Sequence, residues 1–414
     1  MRRPPTPTWT TRTATRTTLT ATPTTRTPSA LTRCVEPVDA ADFLEDYWER
    51  GPLAVARDEP GRYDDLLSET DVEQLVCSGG LRYPGFRLVK AGEQPRVREY
   101  TIDIPWRPTP FTGSADVERV LAEWEGGATI VLQGLHLTRP AVGAFCRSLE
   151  EVLGHPAQAN AYYTPRSAQG LPVHHDTHDV FVLQVAGEKR WLVYEPALEL
   201  PLKNQRYSKD LGEPGDAVED RVLRAGDMLY LPRGWLHEAL TSDTDSLHLT
   251  IGVNVATWLD AFQAALAELG EDLRFRRSWQ SGNGTDELVE ALGERLGRAD
   301  VERRARAKLI RTRRPIRGGQ LRQLRALDEL GPETELERNP TVLADFVERN
   351  GEVSLAFEGR EVTFPAHARD EVEAVVGAED PFTAAELPGS LDTAGRLVLV
   401  RRLVREGLLR ISEA

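Results

Sequence analysis

The sequence predicts an α+β protein with a compact β-rich core, a helical region behind it and a small C-terminal domain. From about residue 128 the chain consists of short apolar runs separated by Gly and Pro, which is typical of strands in a compact β structure. From Thr257 onwards apolar residues recur at helical spacing, and the last part of the chain returns to short elements. With 414 residues the chain is long enough for two or three domains.

Charge and cysteine content exclude several classes of protein. The formal net charge of −14 disfavours a protein whose whole surface binds nucleic acid. No apolar stretch approaches the roughly 18–20 residues needed to span a bilayer, so we predict no membrane contact. The three cysteines, Cys34, Cys77 and Cys146, form no C-x-x-C pair. We therefore predict a reducing, cytoplasmic environment and expect any metal site to use histidine and carboxylate ligands.

Residues 1–33 are predicted to be a disordered Thr/Arg-rich tail. They contain six Arg and no acidic residue, and they offer almost nothing to bury. Order is expected to begin near Cys34, with Asp39 capping a helix whose apolar side includes Phe43 and Tyr47. Residues 34–256 are predicted to form the catalytic domain. Its predicted strands include 129–132, 180–185, 191–194, 228–231 and 247–253.

Residues 257–315 are predicted to form a helical region and linker. Thr257-x-x-Asp260 matches a capping box, and the apolar residues that follow lie near one side of a helix. Residues 303–325 carry ten Lys or Arg and no acidic residue. Two interpretations of this basic stretch remain, a solvated helix face with a linker and a contact with nucleic acid or the ribosome.

Residues 316–414 are predicted to form a small winged-helix-like domain. The segments 353–357 and 361–364 flank Glu358-Gly359-Arg360 and predict a hairpin. Helices are predicted at 382–387 and 393–404, and a final strand at 408–411. The charge balance of this domain gives no support to DNA binding.

A histidine and an aspartate with metal-ligand spacing precede the strand predicted at 180–185. The segment Gly170-Leu-Pro-Val-His174-His175-Asp176 runs into this strand. If it is extended, His174 and Asp176 share one face and His175 points away, because side chains alternate along a strand. One imidazole and one carboxylate on one face provide two ligands of a metal site.

The third ligand is predicted 63 residues later. Residues 226–237 read Gly-Asp-Met-Leu-Tyr-Leu-Pro-Arg-Gly-Trp-Leu-His and fit G-D-x4-P-x-G-x2-H, the second cupin motif. We predict a strand, a turn relieved by Gly226 and Gly234, and His237 at the start of the next strand. His174, Asp176 and His237 then form the two-histidine, one-carboxylate triad of non-haem Fe(II) oxygenases. The similarity of residues 226–237 to the second cupin motif implies that the core is a double-stranded β-helix.

Each half of this triad is a weak signal, since H-x-D and P-x-G-x-x-H both occur as ordinary surface or core residues. Their combination within β-like runs favours metal binding. The competing ligands are His175, His178 and Asp179, which we assign as flanking residues because a strand cannot aim His174 and its neighbour at one ion.

An oxygenase of this type needs an electron-donating cosubstrate, usually 2-oxoglutarate, whose distal carboxylate must meet a cation. Lys189 is the candidate, in Gly187-Glu-Lys189-Arg190-Trp191 on the strand that follows the H-x-D strand. Arg190 faces the other way. The alternative is that Lys189 is an exposed charge.

These motifs resemble those of the JmjC-type ribosomal oxygenases, which are cupin-fold, Fe(II)- and 2-oxoglutarate-dependent protein hydroxylases. The resemblance includes H-x-D followed by D-V-F-V-L-Q-x-x-G-x-K-x-W, and then G-D-x-L-Y-L-P-R-G-x-x-H. The opening segment 43–53 matches the family's F-x3-Y-W-x3-P-L, and Ser246-Leu-His248-Leu-Thr250 matches a late strand of the barrel.

The resemblance implies a role for each matched residue. Iron would be bound by His174, Asp176 and His237, the distal carboxylate of 2-oxoglutarate would pair with Lys189, and Asn160 and Tyr162 would line the cosubstrate and substrate side. The alternative for Asn160 and Tyr162 is that they are ordinary polar residues near a barrel mouth.

Gly252 departs from the family's pattern, because related sequences often carry a polar side chain there. Thr250 and Asn254 are the candidates to replace that side chain. His248 is expected to be a packed strand residue rather than a fourth ligand. The family's three-part architecture also implies a homodimer formed through the helical region.

The predicted function is hydroxylation of an Arg or His side chain in a ribosomal protein by a 2-oxoglutarate-dependent dioxygenase. The acidic chain would attract a basic segment of such a substrate. One alternative is an oxygenase acting on a small metabolite or a biosynthetic peptide. Another is a non-catalytic cupin binding module, although a binding module has no need of both the triad and Lys189.

Overall fold

The computed structural model describes residues 29–78, 80–168, 171–278, 285–295, 298–349 and 352–412. The chain divides into two compact units, one comprising the residues up to 152 with 157–254, and the other comprising 153–156 with 255–414. Helices and strands are present in both units, so the α+β class is confirmed. Within the described ranges, no helix combines the length and the apolar character needed to cross a membrane.

The first helix lies partly inside the segment predicted to be a disordered tail. Ser29 caps this helix by accepting a hydrogen bond from the backbone N–H of Thr32. Leu31 and Val35, one helical turn apart, are both completely buried. The predicted end of the tail at residue 33 is therefore wrong, because the segment does have apolar side chains to bury. Residues 1–28 lie outside the described residues.

The first unit combines seven helices with ten strands in its described part. The helices are α1 Ala30–Val35, α2 Ala40–Asp46, α3 Glu69–Cys77, α4 Val97–Tyr100, α5 Val117–Glu125, α6 Leu135–Thr138 and α7 Pro140–Leu153. The strands are β1 Leu53–Val55, β2 Phe86–Val89, β3 Thr101–Ile104, β4 Phe111–Ala115, β5 Thr129–Leu132, β6 Ala157–Thr164, β7 Asp179–Tyr194, β8 Glu219–Arg224, β9 Met228–Leu231 and β10 Leu236–Val253. The predicted Asp39 cap is confirmed at the start of α2.

Eight of these strands form one antiparallel sheet in the order β1-β9-β7-β10-β6-β5-β2, with β8 paired to β7. The two long central strands, β7 and β10, pair along most of their length. The strands predicted at 180–185 and 191–194 are parts of the single strand β7, which continues through Gly187 at φ +62°. Only glycine fits there, since a Cβ would lie 1.8 Å from the carbonyl oxygen of Asp245.

An aromatic cluster attaches the N-terminal helices to this sheet. The ring of Phe43 on α2 lies 4.9 Å from that of Tyr230 and 5.7 Å from that of Phe181. Trp48 stacks on Tyr230 at 5.7 Å. Aromatic pairs at these distances stabilise a core beyond the effect of their buried area. The opening segment therefore closes one side of the sheet that carries the candidate site.

The second unit is built from helices and two small sheets. Its helices are α8 Trp258–Glu268, α9 Thr285–Arg295, α10 Arg298–Thr312, α11 Gln320–Ala326, α12 Arg369–Gly377 and α13 Thr393–Glu406. Its strands are β11 Glu335–Arg338, β12 Ala344–Arg349, β13 Glu352–Phe357, β14 Arg360–Pro365, β15 Phe382–Thr383 and β16 Leu409–Ile411. The sheets have the orders β15-β11-β16 and β12-β13-β14.

Several local predictions for this unit are confirmed. The Thr257/Asp260 capping box starts α8, and the hairpin of β13 and β14 turns at Glu358 and Gly359. The helix predicted at 382–387 is wrong: Phe382 and Thr383 instead pair with β11, and a turn follows. Six residues before Pro388 are too few to stabilise an isolated helix, whereas the edge of β11 offers backbone hydrogen bonds.

Candidate active site

The two halves of the predicted triad are joined by backbone hydrogen bonds. The N–H of His174 donates to the carbonyl of His237 at 3.1 Å, and the N–H of His237 donates to the carbonyl of His174 at 2.9 Å. The N–H of Gly234 donates to the carbonyl of Asp176 at 3.0 Å. The predicted strand through the H-x-D motif is wrong, because His174 makes one isolated bridge and the rest of this segment is a loop. His237 lies at the start of β10, as predicted.

His174, Asp176 and His237 each offer one atom that could bind a metal ion, and these three atoms lie within 4.8 Å of one another. The Nε2 of His237 is 3.9 Å from the Oδ2 of Asp176. In both histidines Nδ1 hydrogen-bonds a backbone carbonyl, that of Pro172 at 2.8 Å and that of Trp235 at 3.0 Å. This contact orients each ring and leaves Nε2 available to coordinate a metal ion, which is the usual arrangement of metal-ligating histidines. The donor set fits a divalent transition metal.

The electrostatics of this cluster favour deprotonated ligands. Burial alone would raise the pKa of Asp176, but the neighbouring histidines, His178 foremost, outweigh burial and lower that pKa. Burial, reinforced by His174, lowers the pKa of His237 to about 4. At neutral pH the cluster therefore presents a carboxylate and a neutral His237 imidazole, the protonation states that metal binding requires.

The cluster opens into a cavity of about 530 Å³, a volume that includes its open mouth. Its lining residues are Thr129, Tyr162, Leu171, His174, Asp176, Val180, Val182, Lys189, Trp191, His237, Glu238, Ala239, His248 and Thr250.

Lys189 is a buried cation inside this cavity. Its side chain is 3% exposed, so the alternative of an exposed charge is excluded. It lies on β7, the strand entered directly from the H-x-D loop, rather than on a separate following strand. Nζ donates to Thr164 Oγ1 at 2.9 Å, and within the described ranges it makes no ion pair. Burial lowers the pKa of Lys189 to about 7. A bound carboxylate would supply the missing counter-charge.

Tyr162 and Asn160 share one face of β6 but differ in their surroundings. Tyr162 lines the cavity, and burial raises its pKa to about 12, so it stays a neutral hydroxyl donor. Asn160 is not among the residues that line the cavity, and its Oδ1 accepts a hydrogen bond from the N–H of Gly134 at 3.0 Å. The structure therefore brings Tyr162 to the site and gives Asn160 a role in holding the start of α6.

The competing metal ligands are engaged elsewhere. His175 Nε2 lies 3.2 Å from the carbonyl of Gln205. Asp179 is buried against Arg233 at 3.1 Å and accepts a hydrogen bond from Tyr230 at 2.9 Å. Neither belongs to the cluster of metal-ligand donors found among the described residues.

His178 occupies the space that a side chain at position 252 would fill. A Cβ on Gly252 would lie 3.2 Å from Cε1 and 3.3 Å from Nε2 of this imidazole. Thr250, one of the two candidates to replace the missing side chain, lines the cavity, and Asn254 does not. The covering of Gly252 by His178 could not be read from the sequence, because it depends on how the H-x-D loop folds back onto β10.

Sequence reasoning also missed the polar surroundings of Lys189. Thr129 Oγ1 donates to Thr164 Oγ1 at 3.1 Å, so the lysine is held by a short hydroxyl chain from β5 and β6. His248, expected to be a packed strand residue, is indeed packed, but it also lines the cavity. Its two-residue spacing from Thr250 on β10 is the signal that could have placed both on the inner face.

Comparison with known proteins supports this description. Residues 139–261 match the JmjC domain family. The chain is 33% identical over 222 residues to the bifunctional lysine-specific demethylase and histidyl-hydroxylase NO66 of Drosophila persimilis, which covers 53% of this chain and 31% of that protein. It is 32% identical over 252 residues to ribosomal oxygenase 1 of Gallus gallus, covering 59% and 40% respectively. The chain thus spans less than half the length of these curated relatives.

Solved structures show the same fold. The structure of YcfD from Escherichia coli superposes with a TM-score of 0.57 at 15% identity, covering 90% of this chain and 98% of that one. A structure of YcfD, described as a ribosomal oxygenase in complex with cobalt and 2-oxoglutarate, gives a TM-score of 0.54 at 16% identity over the same shares. The resemblance predicted from the motifs is confirmed, because residues 139–261 match the JmjC domain and the fold is of the cupin type with mixed α and β content.

Proposed function

We propose that this chain, whose residues 139–261 match the JmjC domain, is an Fe(II)- and 2-oxoglutarate-dependent oxygenase. One observation carries the proposal: a buried lysine, with no counter-ion among the residues that the structure describes, shares a cavity with a two-histidine, one-carboxylate cluster. A site built only to hold a metal does not need a buried cation, which is costly unless an anion joins it. The names of the relatives, oxygenase and hydroxylase, support the same activity.

Each residue of the site has a proposed task. His174, Asp176 and His237 would hold Fe(II) through two imidazoles and one carboxylate. When bound, the iron supplies the coupled chemistry, in which 2-oxoglutarate and O2 yield succinate and CO2 and one oxygen atom enters a substrate C–H bond. Lys189, held by Thr164, pairs with the distal carboxylate and so orients the cosubstrate. Tyr162 donates its hydroxyl on the cosubstrate and substrate side, and Asn160 supports that side through Gly134.

The proposed substrate is an Arg or His side chain in a basic segment of a ribosomal protein. The relatives are named ribosomal oxygenase and histidyl-hydroxylase, and the chain's net charge of −14 favours a basic partner. An oxygenase acting on a small metabolite or a biosynthetic peptide is the second candidate, since the described cavity constrains the cosubstrate more than the substrate.

Two measurements test this proposal. Purified protein with Fe(II) and 2-oxoglutarate should form succinate, and His174→Ala should abolish the product. Absence of turnover in the intact protein would contradict the oxygenase and leave the non-catalytic binding module. Intact masses of the ribosomal proteins should show a +16 Da shift that disappears in a deletion strain, whereas unchanged masses for every ribosomal protein would favour the small-molecule or peptide substrate.

We further propose a cytoplasmic homodimer formed through the helical region 257–315, with a winged-helix-like domain over 316–414. Support for the dimer comes from α8, where Trp258, Phe262 and Leu266 repeat every four residues and are 58%, 39% and 45% exposed. An apolar stripe of this kind is typical of an interface. The basic stretch 303–325 spans most of α10 and most of α11, and a ribosome contact through it is part of the same proposal.

A further inference from the structure

We propose that His248 is a ligand-binding residue of the cavity, which hydrogen-bonds the same distal carboxylate that Lys189 neutralises. This inference rests on the proposed function, because it takes 2-oxoglutarate as the ligand. The distal carboxylate of 2-oxoglutarate would then have two polar contacts, one from Lys189 on β7 and one from His248 on β10.

His248 places a buried imidazole in the wall of the cavity. His248 is 3% exposed and lines the cavity. Its Nδ1 is inaccessible to solvent and has no hydrogen-bond partner among the residues that the structure describes. Buried polar groups in native proteins are almost always paired, and the exceptions call for a ligand, a water or an ion. A ligand in the cavity cannot reach Nδ1 either, so an N–H there would have no acceptor. This favours the tautomer with the proton on Nε2, which is not among the closed-off, unpaired atoms and is the nitrogen that a bound carboxylate would meet.

Aromatic neighbours hold the His248 ring in place. Tyr162 on β6 is the cross-strand neighbour of His248, and the two rings stack 5.0 Å apart with planes inclined by only 5°. Trp191 meets the imidazole edge-on at 5.6 Å. Neither contact is a hydrogen bond. The ring is thus oriented by packing, while its polar capacity remains available to a ligand.

Burial and the charge of Lys189 together set the protonation state of His248. Burial, reinforced by the Lys189 ammonium, lowers the pKa of His248 well below its ordinary value. The imidazole therefore stays neutral at physiological pH and has one N–H to donate. A cation together with a neutral donor suits the two oxygens of one carboxylate, whereas two adjacent cations would repel each other.

Calorimetric titration of the Mn(II)-loaded full chain tests the proposal without turnover. The two probes are 2-oxoglutarate and 2-oxobutyrate, a 2-oxo acid that lacks the distal carboxylate. His248→Phe keeps an aromatic ring between Tyr162 and Trp191 but removes the donor, and His248→Gln restores a donor. His136→Phe, on α6 outside the cavity lining, serves as the matched control.

We expect His248→Phe to weaken 2-oxoglutarate binding about tenfold, as for loss of a hydrogen bond to a charged group, and to leave 2-oxobutyrate within twofold. His248→Gln should recover most of the affinity, and His136→Phe should retain all of it. The proposal is overturned if His248→Phe binds 2-oxoglutarate like the wild type, or if both acids weaken equally. If the wild type binds no 2-oxoglutarate, the proposed function fails as well, so the two failures are distinguishable.

If His248→Phe does not fold, a second measurement on the wild type still tests the proposal. Imidazole ¹⁵N resonances of the Zn(II)-loaded protein should show one buried histidine shifting on addition of 2-oxoglutarate and not of 2-oxobutyrate. An unchanged spectrum with saturating 2-oxoglutarate would equally refute the role of His248.

Discussion

His174 and His237 lie 63 positions apart in the sequence, yet they exchange two backbone hydrogen bonds of 3.1 and 2.9 Å. Together with the bond from Gly234 N–H to the Asp176 carbonyl, this bridge fastens the H-x-D loop to the turn that precedes the third ligand. The spacing of the metal ligands is therefore set by the backbone, before any ion binds. Pre-organised ligand sets of this kind lower the cost of metal binding.

This bridge makes Gly234 a sensitive position. Gly234 has φ +91°, and a Cβ there would lie 2.3 Å from the carbonyl oxygen of Leu198. Gly234→Ala should lower the free energy of unfolding by about 2 kcal/mol more than Gly154→Ala, which has φ +73° and open space around it. Urea denaturation measures both, and Mn(II) affinity should fall only in Gly234→Ala. Equal losses in the two variants would show that the turn has no special constraint.

Metal binding should stabilise the folded protein. At a free Mn(II) concentration 100 times the dissociation constant, the gain is about 2.7 kcal/mol, or roughly 5–10 °C in Tm. Asp176→Ala should abolish this gain because it removes the carboxylate ligand. The control is His367→Ala, an exposed histidine in the second unit, which should keep the full shift in a thermal melt. A metal-dependent shift that survives Asp176→Ala would exclude the cluster as its origin.

Because of Lys189, the free energy of unfolding of the wild type should increase with pH in the alkaline range. The folded pKa of Lys189, about 7, lies far below the ordinary value of 10.5, so between these values the unfolded chain binds more protons. Stability therefore rises with pH in that window, by about 2 kcal/mol between pH 7 and 9 from this group. Lys189→Met should be more stable than the wild type at pH 7 and should lack this increment.

Denaturation curves at pH 7, 8 and 9 provide the comparison, since other titrating groups cancel in the difference between the two proteins. The same substitution should abolish 2-oxoglutarate binding, because the distal carboxylate loses its cation. If the wild type and Lys189→Met differed in free energy of unfolding by the same amount at all three pH values, the lowered pKa of a buried Lys189 would be contradicted.

The Arg233–Asp179 pair should contribute far more to stability than an exposed pair of similar length. Arg233 is 6% exposed and also contacts Glu49, so removing Asp179 leaves a buried cation with one fewer partner. Asp179→Ala should cost about 3–5 kcal/mol. Asp220→Ala breaks the solvent-exposed 2.6 Å pair with Arg190 and should leave the free energy of unfolding almost unchanged, because water screens this pair. Similar losses in urea denaturation would mean that burial does not distinguish the two pairs.

The proposed dimer depends on the exposed stripe of α8. Phe262→Glu combined with Leu266→Glu should convert the dimer to a monomer, because two charges would then be buried in an apolar interface. Val398→Glu, at an isolated exposed position on α13, is the control and should leave the molar mass of the assembly in solution that of a dimer. Light scattering at micromolar concentration measures the mass. A wild type that is already monomeric would refute the dimer.

Much of the site could be predicted from the sequence because its motifs combine residue chemistry with short spacing. H-x-D, P-x-G-x-x-H and G-x-K identify their residues wherever the loops lie, and the structure brings His174, Asp176, His237 and Lys189 to one cavity. The local geometry was less predictable. The H-x-D segment is a loop whose ligands share a side through bonds to residues 234 and 237, and not through strand alternation.

Short-range signals also set the limits of the fold prediction. The Asp39 cap, the Thr257 capping box and the hairpin at Gly359 were predictable, because each depends on residues within a few positions of one another. The helix predicted at 382–387 failed because pairing with β11 decided that segment, and β11 lies almost fifty residues earlier. The helix that begins at Ala30 was missed because it depends on contacts distant in sequence, such as the 3.0 Å hydrogen bond from the Ala30 N–H to Ser148 Oγ.

The sequence by itself determined which residues could hold a metal and which cation could meet an organic acid, since these depend on side-chain chemistry and motif spacing. Only the tertiary structure decided that Lys189 is buried without a counter-ion within the described ranges, that His178 covers Gly252, and that His248 faces the cavity without a hydrogen-bond partner there. The physical reason is that burial and hydrogen-bond pairing are properties of strands and loops that meet across the sheet. No local pattern in the chain records which side chains will share a cavity.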